Sequence, residues 1–167
     1  DHPEKVLPFS RALVSAHPNT SRALVQTMLE ACRWLDDAGH RNEIARRLAQ
    51  PEFLGATQAL IAARLGTDAS SATRLPVRFF EGGAVNYPRA SDGAWFLTQY
   101  ERWGMIAQRD DYTAIAAAIN QTALYREAAQ RMGLAVPVLE VPQVLIDGRV
   151  WDASKPETYA QGFDIRA

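Results

Sequence analysis

The chain has 167 residues, enough for one domain with a real core, and its 47% hydrophobic and 22% charged residues are ordinary for a soluble globular protein. A formal charge of -1, from 18 basic and 19 acidic side chains, gives no basic surface of the kind that nucleic acid requires. No apolar run approaches the roughly 20 residues of a membrane span, and the single cysteine, Cys32, excludes an intrachain disulfide.

The opening Asp1-His2-Pro3-Glu4-Lys5 is polar, lacks the pattern of a signal peptide and has no initiator Met, which reads as a processed product, a trimmed chain or an excised part of something longer. Pro3 suits a first helical position, so a short helix is expected from there towards Ser15, with Pro8 in its first turns or at a kink. After His17-Pro18, Asn19 or Ser21 is expected to cap the next helix. There Leu24, Val25, Met28, Leu29, Cys32 and Leu35 fall on one stripe at helical spacing, and Asp36-Asp37-Ala38-Gly39 ends it. Cys32 on that stripe reads as a buried structural thiol.

A helix over about 41–49 follows, stopped by Pro51. Thr57 is expected to cap another, with Gly66 as its C-terminal stop. Thr67 to Thr73 reads as a loop, and Val77 to Phe80 as a strand or an extended packing segment. Asp92 is expected to cap a helix to about Trp103, Asp111 one from Tyr112 to Ile119, and Asn120 or Thr122 one through Met132. Val136-Pro137-Val138 reads as extended. Two apolar runs around Asp147-Gly148 give a hairpin, and Lys155-Pro156-Glu157 starts a last short helix. The expected fold is mostly α with a small β-hairpin.

Catalytic and metal-binding patterns are missing. His2, His17 and His40 are scattered, with no HxxxH or CxxC spacing, and there is no GxSxG, P-loop or GxGxxG sequence. Asp36-Asp37 and Asp110-Asp111 read as caps or solvated charges, because an acid/base pair must converge across space. Arg46-Arg47 reads as a solvated helix face. Gly82-Gly83 serves a turn or presents N–H groups to an anion, and Trp95, Phe96, Tyr100 and Trp103 form a packed helix face or an aromatic platform. In each pair the structural reading is preferred. No enzyme activity, cofactor or metal is expected.

Four blocks resemble one family. They are Asp1 to Leu7; Leu29 to Asp36, similar to an "EA-x-x-W-x-D" helix; Phe79 to Gly104, with Ser91-Asp92-Gly93-Ala94-Trp95-Phe96-Leu97-Thr98-Gln99 its most specific run; and Leu145 to Asp152 with Pro156, Tyr159 and Phe163. In order and spacing they are similar to the C-terminal half of the solute-binding proteins of nitrate and bicarbonate ABC transporters, together with their nitrate/nitrite-sensing relatives. The resemblance implies an α/β two-lobed, periplasmic-binding-protein type II fold that closes on a small oxyanion. It makes residues 1–167 the C-terminal portion, with the N-terminal half absent from this chain.

The resemblance also implies nitrate or nitrite as ligand, with His2 and Lys5 the nearest cations to the expected anion site. The partner is then a regulatory antiterminator protein for a cytoplasmic sensor, or an ABC permease for a periplasmic or membrane-anchored transport subunit. Neither role involves direct nucleic-acid binding or a membrane span. The Leu145 to Asp152 tail and the compact Ala69 to Arg74 loop favour the sensor branch.

Overall fold

The computed structural model describes residues 6–66, 77–107, 111–136, 142–145 and 148–163. Helix α1 (Arg11–Ala16) starts at Ser10, whose hydroxyl accepts the Leu13 N–H. Pro3 lies outside the described residues; the helix expected to run on from it is corrected over residues 6–10, which are not helical, as Pro8, which has no N–H to donate, predicts for a helix interior. Helix α2 (Pro18–Asp36) begins on Pro18, not after Asn19 or Ser21; proline fits the first turn, and Ser21 instead turns its hydroxyl back to the His17 carbonyl. Asp37 ends α2 and caps α3 (Ala38–Leu48) by accepting the Gly39 N–H.

Helix α4 (Gln58–Arg64) is capped by Thr57 as expected, and Gly66 follows with φ of 73°. The 77–80 segment is extended packing, not a strand, and leads into a 3-10 turn, Glu81–Asn86. Helix α5 (Ala90–Arg102) is preceded by Arg89 at the cap position. Asp92 therefore lies inside the first turn, where its charge complements the helix dipole, and not at the cap.

Helices α6 (Tyr112–Ile119) and α7 (Thr122–Arg131) follow as expected, although Gln121, not Asn120 or Thr122, occupies the position before α7. Strands β1 (Gln143–Val144) and β2 (Val150–Trp151) pair antiparallel, Gln143 with Trp151 and Val144 with Val150. The turn between them closes with Gly148 at φ 77°; Asp147 lies outside the described residues, as do the 67–73 loop, Pro137 and Val138. Helix α8 (Pro156–Ala160) completes a fold that is mostly helical with one small hairpin.

Two clusters form the core. In the first, Leu29 of α2 meets Tyr125, Ala128 and Ala129 of α7, with Phe80 and Tyr87 from the turn. In the second, Ala94 of α5 meets Tyr112 and Ala116 of α6, Trp151 of the hairpin and Tyr159 of α8. Small residues bring α5 close to α6. A Cβ at Gly93 would lie 2.7 Å from Asn120 Oδ1 and 3.1 Å from the Ala116 Cβ, so the Ser-Asp-Gly run requires glycine for close helix approach. Asn120 then donates to the Arg89 carbonyl at 2.7 Å and ties the end of α6 to the start of α5.

Candidate functional site

The family-like stretch Phe79 to Gly104 is held at its entry by a single carboxylate. Asp36, the last residue of α2, accepts the backbone N–H groups of Phe79, Phe80 and Glu81 at 2.8, 3.2 and 2.8 Å. Successive N–H groups converging on one anion make a nest of the kind that elsewhere binds phosphate or sulfate. Here the anion is the protein's own. Partial burial opposes the charge on Asp36, but the three N–H bonds and nearby Arg41 outweigh it and hold the carboxyl below its ordinary value.

Beyond the nest the chain turns left-handed for three residues, with φ of 46° at Glu81, 66° at Gly82 and 95° at Gly83. The pair serves the turn: Gly83 N–H donates to the Phe80 carbonyl at 2.8 Å, and its own carbonyl accepts the Tyr125 hydroxyl at 2.7 Å. Burial, and to a lesser extent neighbouring Tyr87, pushes the Tyr125 phenol above its ordinary value.

Arg41 closes the opposite side of the nest. It is buried, and its guanidinium donates to four carbonyls: Leu35 at 2.9 Å, Leu65 at 3.2 Å, Asp36 at 3.3 Å and Val77 at 3.2 Å. One side chain thus gathers the ends of α2 and α4 and the segment entering the turn. Cys32 is half-buried beside this region and accepts a bond from Asn86 Nδ2 at 3.3 Å. Desolvation pushes its thiol up despite that bond, in keeping with the structural role read from the sequence.

The aromatic face divides. Trp95 and Phe96 are half-buried and pack edge to face at 5.1 Å, while Tyr100 and Trp103 are exposed. A packed face extends only over the first half of α5, and no stacked four-ring platform forms. At the other end of the fold, Arg149, Val150, Asp152, Lys155, Thr158 and Tyr159 line a depression of about 190 Å³. Its charges are mixed, with Arg149 and Lys155 beside Asp152, whose carboxylate accepts the Ser154 N–H at 2.9 Å and hydroxyl at 2.7 Å.

His2 and Lys5, the residues expected nearest an anion, lie outside the described residues. Among the described residues, no group of three His, Cys, Asp or Glu side chains could hold a metal ion, and no helix is long and apolar enough to cross a membrane. Three described arginines are engaged within the fold: Arg22 with Glu127 at 2.6 Å, Arg78 with Glu81 at 2.6 Å, and Arg41 with its carbonyls. The residues that sequence reasoning missed are Asp36 and Arg41. The available signal was the closing Asp of the "EA-x-x-W-x-D" helix, which reads locally as a helix end and acts 43 to 45 residues downstream.

This arrangement of helices is that of a part of a periplasmic binding protein. It superposes with a TM-score of 0.83 and 25% identity on the crystal structure of the periplasmic nitrate-binding protein NrtA from Synechocystis PCC 6803, over 99% of this chain and 46% of that one. The chain belongs to the nitrate/bicarbonate solute-binding protein family. A model of the NMT1-like family matches residues 1–49. Two Synechocystis relatives are similar over nearly the whole chain: the nitrate import ATP-binding protein NrtC, 35% identical over 98% of this chain, and the bicarbonate transport ATP-binding protein CmpC, 33% identical over 95%. The chain spans only 26% and 24% of the length of these two relatives.

Proposed function

We propose that this chain is the C-terminal portion of a two-lobed protein that binds nitrate or nitrite and serves an ABC transporter. The observation that carries this reading is the superposition on the periplasmic nitrate-binding protein over 99% of the chain. A small oxyanion must be compensated for its lost water by several converging donors. The described arginines named above are occupied in holding the fold together, so those donors belong to the rest of the polypeptide, with His2 and Lys5 as this chain's contribution.

The names of the relatives, which speak of import, transport and a periplasmic protein, favour the transport branch. An ABC permease is then the partner, and the location is periplasmic or membrane-anchored. The sensor branch, with its antiterminator partner and cytoplasmic location, rests on the tail and the 69–74 loop of the sequence alone. ATP binding, named for NrtC and CmpC, is not proposed here: the chain has no Gly-x-x-x-x-Gly-Lys-Ser/Thr run to cradle phosphates.

The test is deletion of the gene with two readouts, nitrate uptake at limiting nitrate and induction of the genes for nitrate use. The proposal expects uptake to fall while induction by internally supplied nitrate persists. Intact uptake with lost induction would establish the sensor branch instead.

A further inference from the structure

Helix α2 carries more apolar surface than the described fold covers. Val25, Leu29 and Cys32 pack into the cluster formed with α7. Leu24 and Met28, one turn apart on the adjoining flank, remain 42% and 46% exposed, and half-buried Leu35 continues their line. Helix α2 packs on α1, α3, α7 and the turn Glu81–Asn86, yet this stripe at i, i+4 and i+11 along its 19 residues is left open on the Leu24–Met28 flank. Met and Leu side chains in such a stripe are exposed at a cost unless something covers them.

We propose that the Leu24–Met28 flank of α2 is an internal docking face, covered by the remainder of the solute-binding fold in the same polypeptide. The inference rests on the reading of the chain as a portion of that fold. Its support is the contrast in coverage: the superposition takes in 99% of this chain but only 46% of the nitrate-binding protein. More than half of the matched fold therefore lies outside this segment and is available to close over α2. Cover from the same polypeptide is present at every dilution, whereas a second copy or a permease can be separated away.

The experiment uses the polypeptide as its gene encodes it, without substitution. Met28 is oxidised with dilute hydrogen peroxide, and sulfoxide formation is followed by peptide mass against the same protein unfolded in urea. Oxidation follows exposure, so a covered Met28 should react at least about tenfold more slowly than in urea, whereas a flank left bare should react within roughly twofold. The proposal expects the slow rate, unchanged on dilution to a monomer verified by light scattering. A fast rate in the purified monomer overturns it, as does protection that vanishes on dilution, which would indicate a second copy. A polypeptide that proves to consist of these 167 residues alone also overturns it. Nitrate titration of the same sample is read separately. Protection without nitrate binding keeps the docking face and removes the proposed ligand; binding with a fast Met28 does the reverse.

Discussion

The Tyr125 hydroxyl donates to the Gly83 carbonyl at 2.7 Å, and a Cβ placed on Gly83 would lie 2.5 Å from that same hydroxyl oxygen. The two residues fit only as a pair. Gly82, one position earlier and also left-handed at φ 66°, has no such neighbour within 4 Å. Gly82→Ala should therefore cost only the backbone penalty of about 1–2 kcal/mol. Gly83→Ala adds displacement of a buried tyrosine and should cost about 2 kcal/mol more, in the range of overpacked core sites. Urea unfolding of both variants checks the ordering; equal losses would show that the Tyr125 contact carries no weight.

Asp36 gives a prediction with a pH signature. Removing the acceptor of three N–H groups by Asp36→Ala should destabilise by about 1–3 kcal/mol at neutral pH. The folded carboxyl is held below its ordinary value of 3.8, so the stability it supplies is fully present above that value. It is lost as pH falls through the lower folded value. Wild type and Asp36→Ala should therefore converge in stability only in strong acid, as followed by thermal melts across pH. A difference that stays constant down to the acid limit would mean that the ionised carboxylate is not what holds the turn.

Arg41 tests geometry against charge. Lysine keeps the charge but has one nitrogen and no planar fork, so it cannot reach four carbonyls spread over α2, the end of α4 and residue 77. Arg41→Lys should cost at least about 2 kcal/mol through unsatisfied buried groups. Hydrogen exchange should be fastest around the end of α4 and the 77–81 segment. A variant as stable as wild type would show that the shared charge alone suffices.

At Gly93 two effects oppose each other. Alanine favours a helix by about 1 kcal/mol over glycine. The added methyl would meet Asn120 Oδ1 at 2.7 Å and the Ala116 Cβ at 3.1 Å, and Asn120 cannot swing away without losing its bond to the Arg89 carbonyl. Gly93→Ala is expected to be destabilising by about 1 kcal/mol net, and Gly93→Val by more. Calorimetric melting decides the sign.

These relationships show where the sequence was legible. Thr57 as a cap, Gly66 past a helix end and the turn closing at Gly148 were readable because each is a local matter of backbone conformation. The start of α5 was misplaced because Asp92 is equally at home at a cap and in a first turn, and nothing local chooses between them. Asp36, Arg41 and Tyr125 were not legible as a group, since each has a partner between 24 and 45 residues away that only the folded chain brings to it. The family-like run Ser91 to Gln99 was visible as a pattern, but its reason was not. Gly93 is the close approach to α6, and the Ser91 carbonyl receives the Trp151 indole N–H at 3.2 Å.

The central claim is that the polypeptide containing this chain binds nitrate or nitrite. Titration calorimetry on the full polypeptide with nitrate, nitrite, and bicarbonate plus calcium tests it most directly. The account predicts saturable binding of nitrate or nitrite at one site, weakened when Lys5→Ala removes one of the two cations assigned to that site. Binding of bicarbonate with calcium in preference to nitrate and nitrite, or no heat with any of the three anions, would contradict it.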